Sequence, residues 1–273
     1  MINIINAFLN TFFNILLFPL QNLNPFWNIL FISLLTGIVM LLIFKKVSNQ
    51  NKIHQVKNKL KAYLLELRLY NDDISLSLSA VVKLFTANFL YFVQVFKPLL
   101  FLFIPVSLIL IQIGSRYGSR SLHINEKTIV SVIVKENIPL QKISLRGSEG
   151  IRIETDPVRI PMQHKIFWRV SGIKKGNWKI SCIYDTLIIN KTIIVDQQAN
   201  LLSWSKKGTY SIAAFLNPAE KTIPGNQFIK GITIRYPPKP VEFAGIHIHW
   251  LALFFVLSIL FGFAFKGFLG VEI

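Results

Sequence analysis

Residues 26–44, FWNILFISLLTGIVMLLIF, decide how the rest of this chain is read. No Lys, Arg, Asp or Glu occurs before or within the stretch, and Lys45 and Lys46 follow at once. At 1.5 Å per residue a helix of this length covers roughly 28 Å, the thickness of a bilayer core. Positive charge at its C-terminal end predicts that this end faces the cytoplasm and that the N-terminus lies outside. The chain is therefore read as an integral membrane protein, and its function is sought in what stands on each side of the bilayer.

Composition agrees with that reading. A net charge of +17 beside a mean hydropathy of +0.48 over 273 residues suits apolar spans with basic extramembrane parts. Nucleic acid is not implied, because no nucleic-acid motif accompanies the charge. Anionic lipid headgroups are the expected partner of a tethered basic surface. Cys182 is the sole cysteine, which excludes an internal disulfide and a cysteine-built metal site. The start, MINIINAFLN, lacks the basic n-region of a cleavable signal peptide and is expected to be retained.

Working outward, residues 1–24 read as an interfacial amphipathic helix. Asn3, Asn6, Asn10 and Asn14 recur at helical spacing beside a wide apolar face, with a poor membrane span as the alternative. Asn24-Pro25 ends it, and 25–44 is the first span. Residues 45–97 read as a cytoplasmic antiparallel coiled-coil hairpin. One seam holds Ile53, Val56, Leu60, Tyr63, Leu67 and Tyr70; the other holds Leu78, Val82, Phe85, Phe89, Phe92 and Phe96. Asn71-Asp72-Asp73 supplies the turn and the cap of the second arm. A spanning role for 76–96 is disfavoured by the polar stripe Ser75, Ser79, Lys83, Thr86, Gln94 and Lys97 on one helical face, and by a central Lys83, which costs roughly 3 kcal/mol in a bilayer core. Residues 98–114 form a short second span, with Pro105 able to bend it.

From Arg116 the texture becomes β-branched. The runs TIVSVIVK, IRIETDPVRI, KIFWRVSG, NWKISCIYD, TLIINKTIIV, TYSIAAFL and FIKGITIRYP predict an exterior Ig-like β-sandwich over 115–245. Within it Trp178, Ile180, Cys182 and Tyr184 share the buried face of one strand, and Trp168 is a second core residue. Residues 246–265 are the third span, and 266–273 a short cytoplasmic tail. The fold class is thus an α+β integral membrane protein, with three transmembrane helices, a helical hairpin and an inserted β-sandwich.

Chemistry is sparse. No nucleotide loop, zinc-binding helix or nucleophile elbow is present, so no enzyme and no cofactor is expected. His247 and His249, two apart on a helix, do not share a face and read as interfacial. Asn190-Lys191-Thr192 matches a glycosylation acceptor, and Lys206-Lys207 reads as a solvated turn. Polar residues inside the spans remain: Asn28, Ser33 and Thr36, Ser107 and Gln112, and Ser258. They serve either helix–helix hydrogen bonding or a mildly polar groove, which lowers the cost of moving a polar segment into lipid.

The order of elements, together with SLLTGIVMLLIFKKVSNQ, VKNKLKAYLLELRLYNDD and HWLALFFVLSILFGFAFKGFLGVEI, resembles the core of the YidC/Oxa-type membrane insertase superfamily over residues 1–114 and 246–273. Its ER-membrane-insertase branch and an uncharacterised bacterial family with an inserted β-domain are the nearest in pattern. The resemblance implies a bacterial inner membrane location and a hydrophilic groove open to the cytoplasm. Asn28, Ser33, Thr36, Ser107, Gln112 and Ser258 would line that groove. It also implies a substrate-receiving arm carrying Lys57, Lys59, Lys61 and Arg68, with nascent or client membrane proteins as partners. No arginine stands in the first span, and the exterior domain is large. These two features motivate a second reading, in which the chain is a structural subunit whose β-domain docks a partner.

Overall fold

A computed structural model describes residues 2–21, 23–70, 72–197, 201–208, 216–225, 227–243 and 245–272. It is α+β, with antiparallel sheets and three helices long and apolar enough to cross a membrane, Asn3–Leu20, Pro25–Val47 and Ile74–Tyr117; the first falls in the segment expected to be interfacial, and the expected third span, Trp250–Lys266, is a shorter apolar helix. Two compact units divide the chain: residues 1–26 with 110–250, and residues 27–109 with 251–273.

The second unit is helical, and local chemistry sets its helix ends. Helix α2 (Pro25–Val47) begins where Asn24 Oδ1 accepts the Phe26 N–H at 2.9 Å, with Pro25 preset for a first helical position. It ends on Lys45 and Lys46, which favour the negative end of the helix dipole. Helix α3 (Gln50–Leu69) is capped by Asn49, whose Oδ1 accepts the Lys52 N–H at 3.0 Å. Helix α4 (Ile74–Tyr117) is capped by Asp73, which takes the N–H groups of Ser75 and Leu76. Asn71, expected in this turn, lies outside the described residues. Glu66 pairs with Lys83 at 2.9 Å, and the Ser77 hydroxyl donates to Tyr70 O, so α3 and α4 run antiparallel about the turn.

Two features of α4 differ from the sequence reading. First, the hairpin arm and the second span are one helix of 44 residues, roughly 66 Å long. Pro98 and Pro105 lie inside it; each removes a single donor, and the remaining backbone bonds carry the helix through. Second, the stripe Leu78, Val82, Phe85, Phe89, Phe92 and Phe96 is exposed, and the neighbouring stripe with Ala80 and Ala87 is buried. Small side chains let a helix pack closely, so they take the inner face, and the phenylalanines are left outside.

Helix α5 (Trp250–Lys266) has 17 residues, about 26 Å. Its start is later than 246 because Ile246–Ile248 is a strand, turned back onto Val241–Phe243 through Gly245 at φ +79. His247 therefore lies in a strand opposite Glu242, and His249 just precedes the helix. In the helical unit α2 and α5 approach closely: a Cβ on Gly37 would stand 3.0 Å from Ser258 O and 3.1 Å from Phe261 Cβ. Leu41 and Phe44 of α2, Ile53 of α3, Leu102 of α4 and Val271 of the tail form its core.

The first unit joins helix α1 (Ile2–Leu17), the end of α4 and the β-domain. One sheet has the order β3-β5-β1-β9-β8, with β4 also on β5; a second has the order β2-β6-β7. The strands of the first sheet are β1 (Lys127–Val134), β3 (Ile151–Ile153), β4 (Val158–Ile160), β5 (Lys165–Gly172), β8 (Ser205–Lys207) and β9 (Ile229–Ile234). Those of the second are β2 (Ile143–Gly147), β6 (Gly176–Tyr184) and β7 (Leu187–Val195), and the hairpin at 241–248 is β10 and β11. Alternate residues of both sheets, among them Val130, Val132, Trp168, Ile180, Cys182 and Ile193, enter one buried core. The Tyr236 hydroxyl accepts the Ile194 N–H at 3.1 Å and ties the end of one sheet to the other. The run IRIETDPVRI gives two short strands, Lys206 and Lys207 belong to a strand, and TYSIAAFL lies outside the described residues except for Leu216.

Candidate functional site

The polar residues of α2 form a buried stripe. Asn28, Ser33 and Thr36 are all buried, with Ile29, Ile32 and Gly37 between them, while Trp27, Val39 and Leu42 are exposed. Polar groups inward and large apolar groups outward are compatible with a helix in lipid. The Ser33 hydroxyl donates to Phe254 O on α5 at 3.4 Å. Asn28 Oδ1 and Ser258 Oγ are buried and have no hydrogen-bond partner among the described residues. Ser107 bonds to Phe103 O within its own helix. Of the groove candidates, then, Ser33 and Ser258 both lie at the α2–α5 contact, Ser33 against Phe254 and Ser258 against Gly37, with Thr36 next to Gly37 in the chain, while Ser107 is satisfied locally.

The proposed receiving arm is divided. Lys57 is held by Glu272 of the tail at 3.0 Å, and His54 stands 3.4 Å from the same carboxylate. Lys57, then His54, holds the Glu272 carboxyl below its ordinary range. The Glu272 N–H donates to Gln50 Oε1 at 2.6 Å, and the Lys45 ammonium donates to Leu269 O at 2.7 Å. The tail is thus fastened to the junction of α2 and α3. Lys59, Lys61 and Arg68 are exposed and carry no ion pair among the described residues.

Gln112 belongs to the first unit, in a cluster that the sequence reading missed. Arg116 is buried, only 7% exposed, and its Nη1 donates to the Gln112 side chain and carbonyl. Its Nη2 donates to Asn14 Oδ1 at 2.7 Å and Asn10 O at 3.4 Å, and the guanidinium stands over the Phe13 ring. Gln112 donates to Asn10 Oδ1, and Asn10 donates to Pro218 O. Asn3 exchanges bonds with Thr222. The asparagine stripe of α1 therefore faces protein, while Ile4, Phe8, Ile15 and Phe18 are exposed. The signals in the sequence were the stripe itself and the i, i+4 spacing of Gln112 and Arg116.

Among the described residues no three His, Cys, Asp or Glu side chains stand together to hold a metal. No family model, curated protein or solved structure matches the chain.

Proposed function

We propose that the chain is a membrane insertase or chaperone-like protein without enzymatic chemistry, offering a mildly polar intramembrane surface to client segments. The observation that carries this reading is that two buried polar atoms, Asn28 Oδ1 and Ser258 Oγ, lack a hydrogen-bond partner among the described residues and lie on helices whose outer faces are apolar. In hydrocarbon each such group costs several kcal/mol, and a polar client segment entering beside it relieves the cost on both sides. A helix as short as α5 also favours local thinning of the bilayer.

In this reading the protein sits in a bacterial inner membrane. Its N-terminus and an Ig-like β-sandwich are outside, and its helical hairpin and tail are cytoplasmic. The length of α4 supports that arrangement: a helix of about 66 Å crosses a bilayer core of about 30 Å once, so one half lies beyond it. The exposed Lys59, Lys61 and Arg68 receive clients, and anionic lipid headgroups contact the basic surfaces.

The test is in-cell photocrosslinking from Thr36 and, separately, from Asp72. Many ribosome-dependent nascent-chain adducts at Thr36 are expected, reduced by the charge reversals Lys59→Glu and Lys61→Glu. A single discrete adduct that survives translation arrest overturns the reading. It would favour the structural-subunit alternative, for which there is one specific observation. The β-domain has a cavity of about 420 Å³ walled by Ile129, Phe167, Trp204 and Ile234, with Ser119, Ser131 and Thr233 beside them and Arg235 as its one charged residue, a largely apolar recess that suits a docked partner.

A further inference from the structure

The first unit holds a polar cavity that the insertase reading does not use. It measures about 260 Å³, and Arg116, Ser119, Arg120, Ser121, Asp196 and Lys239 line it. Its charges do not cancel. Arg120 is matched by Glu126, with two bonds of 2.7 and 2.9 Å, so that pair is neutral. Asp196 has His123 at 3.5 Å. Arg116 is buried, and all its hydrogen bonds go to neutral groups. The Lys239 ammonium is half-buried and has no hydrogen bond or ion pair among the described residues. Two uncompensated cations against one carboxylate leave the cavity with a net charge of about +1, and burial raises the cost of leaving it so.

The remaining wall is Ser119, Ser121, Gln197 and Leu202, so donors are plentiful and the Gln197 amide offers an acceptor besides. Ser119 and Ser121 bring hydroxyls. The carbonyls at the end of α4, which would repel an anion, are occupied: Gly114 O accepts from Gly118 N–H, Ser115 O from Leu202 N–H, and Gly118 O from Lys239 N–H. A ligand with one negative charge and several acceptor oxygens matches this inventory better than a dianion, which Asp196 would oppose.

We propose that this cavity binds a monoanionic phosphate group, with Lys239 as the contacting cation, Arg116 as a fixed charge behind it, and Ser119 and Ser121 as hydroxyl donors. The group can come from a lipid phosphodiester, which the position of the cavity at the end of an apolar helix favours, or from dissolved phosphate. The proposal does not depend on client handling.

The experiment uses the purified full chain in detergent. Retention of phosphatidylglycerol, against diacylglycerol as the phosphate-free control, is read by native mass spectrometry. Inorganic phosphate is titrated separately and followed by phosphorus NMR. Lys239→Gln is expected to weaken retention about tenfold, the loss of one charge-assisted bond, and Lys239→Arg to restore it. Lys175→Gln, an exposed lysine elsewhere in the β-domain, should change nothing. Binding of the lipid alone supports the site and assigns it to a headgroup; binding of both supports it and assigns it to phosphate in general. Equal retention of phosphatidylglycerol and diacylglycerol by the unaltered chain overturns the proposal without recourse to any variant. So does an equal effect of the Lys239 and Lys175 changes.

Discussion

Lys191 shows how one buried charge governs the β-domain. Its ammonium is enclosed, donating to Ser203 O at 2.6 Å and to Ser203 Oγ at 2.7 Å, with Glu220 Oε2 at 3.1 Å. Burial pushes its pKa down to about 8, against the pull of Glu220. The unfolded side chain titrates near 10.4. Between those values the unfolded chain holds more protons, so the stability contributed by this group rises with pH across the window and is lost as pH falls through 8. Cys182, pushed up to about 12 by burial, and Tyr236, also raised by burial, act in the opposite sense, because their unfolded forms ionise first. The comparison with Lys191→Met removes their slope. The stability of the unaltered chain relative to that variant should rise by about 3 kcal/mol from pH 7.5 to 10.5, as read by tryptophan fluorescence in denaturant. A constant difference would show that Lys191 stays charged throughout. A second expectation is steric. A Cβ on Gly150 would stand 2.0 Å from the Trp178 ring, which is anchored by its indole N–H on Lys174 O. Gly150→Ala should therefore cost about 1–3 kcal/mol, seen as a lower melting temperature. Neither site was legible in the sequence. Lys191 sits in a glycosylation-like triplet, and lysine is almost never fully buried without a partner, here supplied by residues 12 and 29 positions further on.

At the scale of elements the sequence was legible where one signal had one meaning. Asn49 and Asp73 cap helices as their types dictate, and β5 covers the whole run KIFWRVSG. It was illegible where two faces competed. The heptad count on α4 chose the phenylalanine stripe, although the alanine stripe is the one that is buried. Periodicity places residues on a face but does not say whether the medium outside is water or lipid, and lipid reverses which face tolerates large apolar side chains. The α2–α5 contact makes the same point through a residue that carries no hydrophobic signal. Gly37 permits the close approach to Ser258 O and Phe261 Cβ. Gly37→Leu should separate the two helices and lower the melting temperature in detergent by several degrees, on the order of 2 kcal/mol. Val39→Leu, on the exposed face of the same helix, should have little effect. Equal melting of the two variants would mean that the contact contributes nothing to stability.

For the whole molecule the decisive quantity is the length of α4. A continuous helix of about 66 Å cannot place both its Phe85–Phe96 segment and its 98–114 segment in one hydrocarbon core without extreme tilt. In the sequence the 76–96 segment is set apart by its polar stripe Ser75, Ser79, Lys83, Thr86, Gln94 and Lys97 and by the cost of Lys83 in lipid; that lysine is paired with Glu66 of α3. The pairing favours the hairpin as an extramembrane unit, because α3 carries Lys52, Lys57, Lys59, Lys61 and Arg68 and cannot follow α4 into lipid. In the function proposed above, the exposed phenylalanines would face clients or the bilayer surface from the cytoplasmic side. This predicts the labelling of single cysteines placed at Phe89 and at Lys175, the native Cys182 being buried and slow to react. In intact spheroplasts a membrane-impermeant maleimide should label Lys175→Cys and leave Phe89→Cys untouched. In inverted vesicles the pattern should reverse. Labelling of Phe89→Cys from outside would invert the assigned topology. Protection of Phe89→Cys on both sides would put the 76–96 segment in the membrane, leaving the 98–114 segment outside the hydrocarbon core.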